Sequence, residues 1–434
     1  MEWWIIIVGS LCGLLAIFLT GAPLFVGFLI VNLLAVVMLI GGSGTLLATN
    51  SIFDSSNISS LSAIPLFILM GEILTRSGSV ENMFKAIDGL VGRIRGRQYV
   101  LTVIVSVVFG ALSGAAMAVA AMLGKSLYPT MMKRGYDSQL SIGAILAGAS
   151  LAPIIPPSVL AVVIATLADV SIGEMLIAGV VPGLIAAGLF LAYIFTRVTL
   201  RPELAPEADA SEMERKGVWH SLLLLLPFSI IVFAIMGLIL LGIATPAEAA
   251  ASGVIGSVIV AIVYRQFSLG MLREAFKSAM LITAMIMVIV VSSNLFGQLL
   301  AFSGATRDLV AFGAQLSGSP YLLLFMLMAI VFVMCMFIDQ IALLLILVPI
   351  YKPLIEAAGF DPIWFWVLVL LNLAVGGITP PFGYTLFAFK ATSGELDLKS
   401  VYQAVWPWVG VFFVLMVIVA LVPQTATWLP SIMR

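Results

Sequence analysis

The feature that most constrains the fold of this 434-residue chain is an internal repeat. Two stretches of sequence match each other at a single offset of 224 residues, and each copy contains a double proline inside apolar sequence. The matched positions are Pro129 with Pro353, Gly135 to Asp137 with Gly359 to Asp361, Ile154 with Ile378, and Pro156 and Pro157 with Pro380 and Pro381. Upstream the match continues at nearly the same offset, where Pro23 faces Pro246. Self-similarity on this scale predicts two copies of one structural unit, which together span most of the chain.

Composition places these units in a membrane. Hydrophobic residues make up 62% of the chain and charged residues only 9%, and the mean hydropathy is +1.21. These values exclude a soluble domain of this length. The apolar runs reach or approach the ~20 residues that a helix needs to cross ~30 Å of hydrocarbon, whereas barrel strands would be alternating segments of ~10 residues. We therefore predict an all-α polytopic membrane protein, and the net charge of −1 gives no sign of a nucleic-acid partner.

Each half of the chain is predicted to contain five membrane-spanning helices and one re-entrant hairpin. The spans are 3–20, 23–41, 63–75, 139–168 and 173–196 in the first half, and 218–243, 247–264, 279–302, 363–390 and 403–428 in the second. One further apolar stretch remains in each half and is interrupted in its middle by small or polar residues. These stretches are 98–124, interrupted at Ser113 and Gly114, and 319–350, interrupted at Asp339 and Gln340. Such an interruption favours a hairpin over a span.

An odd number of spans in each copy means that the second copy enters the membrane upside down relative to the first, so the repeat is predicted to be inverted. With the N-terminus outside, the inner side receives sixteen of the 20 lysine and arginine residues, and the outer side receives only Arg307, Lys352 and Arg434; Lys125, near a hairpin end, is assigned to neither side. This distribution obeys the positive-inside rule and places both termini in the periplasm or exterior. The predicted organisation is a first inverted repeat at 1–200, a cytoplasmic linker at 201–217 and a second inverted repeat at 218–434.

Two amphipathic segments occupy matching places in the copies. The segment 76–97 is predicted to lie along the inner membrane surface, and its counterpart 304–317 along the outer surface. The two arms would brace a moving core, which contains the hairpins, against a static frame. This arrangement is an elevator geometry in outline.

The chemistry is expected where the spanning helices are broken near the membrane midplane. The helix 139–168 is interrupted by Pro153, Pro156 and Pro157, and the helix 363–390 by Gly376, Gly377, Thr379, Pro380, Pro381 and Gly383. Proline removes backbone donors and leaves nearby carbonyl groups without intrahelical partners. Glycine permits an unwound backbone, and threonine adds a hydroxyl ligand. Unpaired carbonyl groups at this depth require a cation or buried polar partners.

Hard oxygen ligands without a dense cage of carboxylates favour a monovalent ion such as sodium over calcium or a transition metal, so we predict sodium coupling and no other cofactor. A proton is the rival coupling ion. Asp339 would carry it, because this acid lies at a hairpin break, where an unpaired charge costs at least ~2.5 to 3.5 kcal/mol. Glu72 is either functional or the partner of Arg76 in a helix-surface ion pair. The candidate substrate contacts are Ser113, Pro156, Pro157, Ser158, Pro380 and Pro381.

Other polar residues have structural explanations. The run 245–248 predicts a capping box, and Asp137 and Asp361 predict helix N-caps. The sequence at 124–126 lacks the upstream glycine of a phosphate-binding loop. His220 is the only histidine, so a membrane-embedded hydrolase lacks a partnered base or metal, and we predict that the chain is not an enzyme. A channel is disfavoured because broken helices paired with hairpins suit an occluding site.

Several motifs occur in an order that is characteristic of one transporter family. In the first half they are F-G-A-L-S-G-A-A at 109–116, P-T-M-M-K-R-G-Y-D at 129–137 and A-P-I-I-P-P-S at 152–158. In the second half they are M-F-I-D-Q at 336–340, P-I-Y-K-P at 349–353, G-F-D-P at 359–362 and G-G-I-T-P-P-F-G at 376–383. Over essentially its whole length, the chain resembles the large membrane (DctM-like) subunit of tripartite ATP-independent periplasmic (TRAP) transporters.

This resemblance implies sodium-driven uptake of an organic acid, such as a C4-dicarboxylate or a sialic or other sugar acid, across the bacterial inner membrane. It also implies two protein partners: a soluble periplasmic binding protein that delivers the substrate, and a small membrane subunit of four helices. A related elevator transporter that binds its carboxylate substrate directly, without a binding protein, is the alternative.

The resemblance further implies two sodium sites. The first would lie between Ser113 and Gly114 at the first hairpin tip and the break that follows Ser150 and includes Pro153. The second would lie between Asp339 and Gln340 at the second hairpin tip and the break around Gly376, Gly377 and Thr379. Ala115 and Ala152 stand where the family often has serine and glycine, which weakens side-chain ligation at the first site and leaves the backbone carbonyl groups as its ligands.

Overall fold

The chain folds into α-helices joined mostly by short turns, with no strand among the residues that the structure describes. A computed structural model describes residues 9, 12–13, 16–17, 24–41, 44–56, 59–90, 94–206, 218–316, 320–394 and 396–433. Six helices within these ranges are long and apolar enough to cross a membrane. They are Ile172–Leu200, Ser221–Leu240, Pro246–Val263, Leu269–Phe302, Gln340–Ala357 and Leu398–Leu421. The predicted all-α polytopic membrane architecture is confirmed.

The first half of the chain contains helices α1 to α11. Their bounds are α1 Leu24–Leu39, α2 Gly44–Ser56, α3 Ala63–Arg76, α4 Ser79–Leu90, α5 Arg97–Ser113, α6 Ala116–Ser126, α7 Tyr128–Lys133, α8 Ser138–Ala149, α9 Val159–Ala168, α10 Ile172–Ala178 and α11 Val180–Leu200. Short 3-10 turns at Ser59–Ser62 and Pro202–Leu204 precede α3 and follow α11.

The second half contains helices α12 to α21. Their bounds are α12 Val218–Leu240, α13 Pro246–Val263, α14 Leu269–Phe302, α15 Ala305–Leu316, α16 Pro320–Cys335, α17 Gln340–Ala357, α18 Pro362–Gly376, α19 Tyr384–Thr392, α20 Leu398–Leu421 and α21 Gln424–Ser431.

Local capping fixes where several of these helices begin, as the sequence predicts. The side chain of Asp137 accepts a hydrogen bond from the backbone N–H of Leu140 at the start of α8. Asp361 accepts one from Trp364 at the start of α18, where Pro362 occupies the first helical position. At the start of α13 the predicted capping box is present in full. These three N-terminal predictions are confirmed, and two of them begin the helices that lead into the breaks.

The structure differs from the predicted spans in places that have local causes. The predicted span 3–20 lies largely outside the described residues. Helix α2 escaped prediction because Thr49, Asn50 and Ser51 interrupt its apolar pattern. Helix α14 begins ten residues before the predicted position 279, because the hydroxyl group of Ser268 accepts a hydrogen bond from the backbone N–H of Met271 at 3.0 Å.

The two stretches predicted as hairpins each contain two helices with a short turn between them. Helices α5 and α6, the first hairpin, meet at Gly114, whose φ of 62° lies in the left-handed region that glycine adopts without strain. Helices α16 and α17, the second hairpin, are separated by residues 336–339, and Asp339 caps α17.

Each hairpin packs against both broken helices. In its own half the first arm lies against the first part of the broken helix, so α5 contacts α8 and α16 contacts α18. The second arm crosses to the other half, so α6 contacts α19 and α17 contacts α9. These pairs correspond to each other under the offset of 224 residues. The pairing therefore places parts of both copies around the two breaks.

A second group of helices packs against this core. Helix α3 packs against α13 and α14, and α14 also contacts α1 and α2. We call α1–α4 and α12–α15 the frame, and α5–α11 and α16–α21 the core. The two groups meet where α14 contacts α17 and where the hydroxyl group of Ser293 donates a hydrogen bond to the carbonyl oxygen of Leu345 at 3.0 Å. The linker predicted at 201–217 is described only to residue 206, and the repeat boundaries remain predictions.

Candidate functional site

The first break, residues 150–158, separates α8 from α9 and is buried throughout. After α8 the backbone tightens, because Leu151 donates to Gly148 O at 3.0 Å and Ala152 donates to Ala149 O at 3.1 Å. The Ser150 hydroxyl donates to Leu146 O at 3.1 Å. The Ser158 hydroxyl donates to Pro153 O and accepts from Ala161 N, which caps α9. One carbonyl group freed by the prolines thus has a buried polar partner within the break.

The tip of the first hairpin lies directly against this break. Gly110 packs so closely that a Cβ atom added to it would lie 2.9 Å from the Cα atom of Ala152. A Cβ atom on Gly114 would lie 3.3 Å from the carbonyl oxygen of Pro157. The hairpin tip therefore meets Ala152 near the beginning of the break and Pro157 near its end.

The second break, residues 377–383, separates α18 from α19. The Thr379 hydroxyl donates to Val375 O at 2.7 Å, which leaves its oxygen lone pairs available. A Cβ atom on Gly383 would lie 2.9 Å from the carbonyl oxygen of Gly377 and 3.0 Å from that of Thr379. Two backbone carbonyl groups therefore approach Gly383 closely.

The second hairpin is joined to this break by direct hydrogen bonds. The backbone N–H of Phe382 donates to Met336 O at 3.2 Å. The side-chain amide of Gln340, which is buried, donates to Leu373 O in α18. Gly376 packs against the side chain of Cys335. The tip and the break are thus held as one unit.

Asp339 has a structural role at the exposed edge of this unit. Its Oδ1 atom accepts hydrogen bonds from Ile341 N at 3.0 Å and Ala342 N at 3.4 Å, and so caps α17. The residue is exposed. An acid that caps a helix at a hairpin tip is compatible with ligation of a cation at the same carboxylate, so the predicted coupling role stays a prediction.

The candidate residues divide into buried and accessible groups. Pro156, Pro157, Ser158 and Pro380, four of the candidate substrate contacts, are buried. Ser113 and Pro381 are half-buried, and Ala115, Asp339 and Phe382 are exposed. Among the candidate residues, the polar side chains that are at least partly accessible include Ser113 and Asp339 at the hairpin tips.

Glu72 has an ordinary structural partner. The Nε atom of Arg76 donates to Glu72 Oε2 at 2.6 Å, one helical turn away on α3. Of the two explanations that the sequence leaves open, the ion pair is the one that the structure shows.

Sequence reasoning overlooked two residues near the breaks. Asn372, fully buried in α18, donates its side-chain amide to Met328 O at 2.7 Å, and its Oδ1 atom has no hydrogen-bond partner among the described residues. Gly71 in α3 lies against the first hairpin tip, since a Cβ atom there would lie 2.9 Å from Ser113 O. The available signal for Asn372 was a polar residue inside an otherwise apolar run. Gly71 gave no signal, because its role depends on a contact between distant segments.

The fold and the site define a class: an integral membrane protein in which two hairpins meet two broken helices, as in membrane transporters. Residues 11–425 match the family described as "Tripartite ATP-independent periplasmic transporter, DctM component". The chain therefore belongs to the DctM family of TRAP transporters, and it is a transporter subunit and not an enzyme.

Curated relatives match over nearly the whole chain. The ectoine TRAP transporter large permease protein of Halomonas elongata is 32% identical, with 98% of each chain covered. The C4-dicarboxylate TRAP transporter large permease protein of Pseudomonas aeruginosa is 31% identical, with 88% of each covered. The sialic acid TRAP transporter large permease protein of Vibrio cholerae is 30% identical, with 98% of each covered.

A solved structure shares the fold at low sequence identity. The crystal structure of the Alcanivorax borkumensis YdaH transporter superposes with a TM-score of 0.65, 16% identity and 90% of each chain covered. At this level of identity the likeness concerns the fold alone.

Proposed function

We propose that this chain is the large membrane subunit of a sodium-driven uptake system for a small organic acid in the bacterial inner membrane. A periplasmic binding protein would deliver the substrate, and a small membrane subunit of four helices would assemble with this chain. The relatives named above carry ectoine, C4-dicarboxylates or sialic acid.

The observation that carries the proposal is the convergence of the carbonyl groups of Gly377 and Thr379 at Gly383, beside the second hairpin tip. The Thr379 hydroxyl in the same break would add a third hard oxygen donor, without a carboxylate cage. Such a donor set suits a monovalent cation better than calcium, which takes about 6 to 8 oxygen ligands, several of them often carboxylates. The break therefore offers the ligands from which a sodium site could be built.

We assign the proposed sodium ligands to the two contacts between a hairpin tip and a broken helix. They are Ser113, Gly114, Ser150 and Pro153 at the first contact, and Asp339, Gln340, Gly376, Gly377 and Thr379 at the second. In the first contact a Cβ atom on Gly114 would lie 3.3 Å from the carbonyl oxygen of Pro157. Ser150 lies on the α8 side of the break, where its hydroxyl group is bonded within the helix.

An inverted repeat and an elevator movement complete the proposed mechanism. The core carries both hairpins and both breaks, so it would move as one body against the frame, with both chain termini on the periplasmic side. The frame touches the hairpin tip through Gly71, where a glycine allows α3 to approach the Ser113 carbonyl group. A glycine presents no side chain at this contact, which would allow the core to slide past α3.

The experiment is uptake of radiolabelled candidate acids into proteoliposomes that hold this chain and its small subunit, under an imposed inward sodium gradient. Each acid is tested with and without the cognate binding protein. Uptake that requires both sodium and the binding protein supports the proposal. Uptake without the binding protein would support direct substrate binding instead, and uptake driven by a proton gradient without sodium would refute the ion assignment.

The variant Thr379→Ala tests the second ion site. A hydrogen bond to a charged group contributes about 1.5 to 3 kcal/mol, and we expect a comparable loss when the hydroxyl ligand is removed. The sodium concentration for half-maximal uptake should therefore rise about tenfold or more.

The matched control is Thr166→Ala in α9. Its hydroxyl group makes the same kind of bond, to Val162 O at 2.8 Å, but it lies outside the breaks. Equal sodium dependence in the two variants would show that Thr379 has only a structural role.

A further inference from the structure

A small polar cavity of about 140 Å³ lies in the core far from the hairpin tips. It is enclosed by the beginning of α8, the end of α11 and the first turns of α20. The polar or charged residues that line it are Asp137, Gln139, Tyr193, Arg197, Arg201 and Gln403. This cavity belongs to neither break, and the transport mechanism proposed above makes no use of it.

The two arginines give the cavity an excess of positive charge. Arg197 is half-buried, and its Nε atom is buried without a hydrogen-bond partner among the described residues. A buried N–H donor without an acceptor is costly, because such groups are normally hydrogen-bonded. Among the described residues Asp137 is the only acid that lines the cavity, and its Oδ1 atom is already used to cap α8. The cavity is therefore suited to an anion.

The segment that follows α11 holds this arrangement in place. The backbone N–H of Asp137 donates to Leu204 O at 3.1 Å, and the hydroxyl group of Tyr99 donates to the same oxygen at 2.7 Å. Arg95 donates to Pro202 O at 2.7 Å. Because the residues that directly follow Arg201 are anchored in this way, the wall of the cavity at the end of α11 is held in place without a ligand.

Exposed apolar side chains lie on the same helices that line the cavity. Phe195 and Leu200 on α11 are 43% and 74% exposed, and Trp406 on α20 is 50% exposed. Arg197 and Arg201 lie at the end of α11 that the charge distribution places at the cytoplasmic membrane surface. A cationic cavity beside an apolar surface at this level matches an amphiphile that has an anionic head and acyl chains.

We propose that Arg197 and Arg201 bind the phosphate group of an anionic phospholipid, whose acyl chains lie over the exposed surface beside α11 and α20. Planar guanidinium groups bind phosphate oxygen atoms through paired charge-assisted hydrogen bonds, and Gln403 and Gln139 supply further amide groups at the cavity. This site would hold the phospholipid at the cytoplasmic leaflet, beside α11 and α20.

Native mass spectrometry of the purified complex, with its small subunit, tests the proposal. The protein is exchanged into neutral detergent and titrated with phosphatidylglycerol or with phosphatidylcholine. We expect retention of phosphatidylglycerol in preference to phosphatidylcholine. Replacing Arg197→Gln or Arg201→Gln should weaken retention about fivefold each, since one basic residue near an anionic lipid surface contributes an increment of this size.

Two controls keep the result interpretable. Lys277→Gln removes an exposed cation on α14, which also lies on the predicted inner side but outside the cavity, and it should leave retention unchanged. Arg197→Lys keeps the charge while removing the planar group, and a monodisperse Arg197→Lys protein with intermediate retention would separate loss of binding from loss of folding.

Three outcomes would overturn the proposal. They are equal retention of both lipids, retention that survives the Arg197→Gln and Arg201→Gln double variant, and displacement of phosphatidylglycerol by millimolar inorganic phosphate. The last outcome would assign the cavity to a free soluble anion, whereas lipid binding that inorganic phosphate leaves intact supports the assignment to a phospholipid.

Discussion

Gly383 provides the sharpest test of the second break. Its φ of −53° and ψ of 104° are open to any L-residue, so alanine at this position costs nothing in backbone conformation. The cost is steric, because the new Cβ atom would lie 2.9 Å from Gly377 O, 3.0 Å from Thr379 O and 3.1 Å from the carbonyl carbon of Ile378. All three neighbours are backbone atoms, which cannot rotate away as a flexible side chain can.

The expected magnitude follows from this geometry. The two carbonyl groups must move apart by a few tenths of an ångström to admit the methyl group, and overpacking of this kind costs about 1 to 3 kcal/mol. If the same oxygen atoms bind sodium, moving them apart should weaken sodium binding by a comparable free energy. The sodium concentration for half-maximal uptake by the Gly383→Ala variant should then rise about 5- to 150-fold.

The assay is sodium-dependent uptake in proteoliposomes, measured over a range of sodium concentrations, with Gly410→Ala as the matched control. Gly410 lies in α20, and a Cβ atom there meets nothing within 4 Å, so alanine should leave uptake unchanged. A Gly383→Ala protein with wild-type sodium dependence would refute the assignment of these carbonyl groups to the ion site. If maximal uptake falls while the sodium dependence is unchanged, the break affects movement rather than ion binding.

Three further predictions concern the stability of a helix cap and of a helix contact, and the role of Glu72. Asp361→Ala removes the cap of α18 and should lower stability by about 1 kcal/mol, whereas Asp361→Asn should recover most of it; thermal unfolding in detergent compares the two. Gly143→Ala places a methyl group against the indole of Trp408 and 2.7 Å from Ala404 O, so it should destabilise the contact between α8 and α20 by about 1 to 3 kcal/mol, again by thermal unfolding. Glu72→Gln breaks a surface ion pair that contributes about 1 kcal/mol or less, and unchanged uptake is expected; a clear loss of uptake would restore a functional role for Glu72.

Much of the local structure could be predicted because its causes lie within a few residues of sequence. Asp361 begins α18 through a hydrogen bond to a residue three positions later. The prolines of the first break end α8 since they carry no backbone donor. Errors occurred where local signals conflicted, as in α2, whose polar residues hide a helix that packs against α14.

The sequence alone determined that this chain is an all-helical membrane protein, where its helices are interrupted, and to which family it belongs. Those properties follow from composition and from short-range backbone chemistry, which do not depend on distant contacts. Tertiary structure decided which oxygen atoms face each other and which polar groups share a cavity. Asp137, Arg197 and Gln403 line one cavity although they are far apart in the sequence, and Phe382 N of the second break donates to Met336 O of the second hairpin. Such arrangements depend on how whole helices pack, and the pattern of a single segment does not encode that packing.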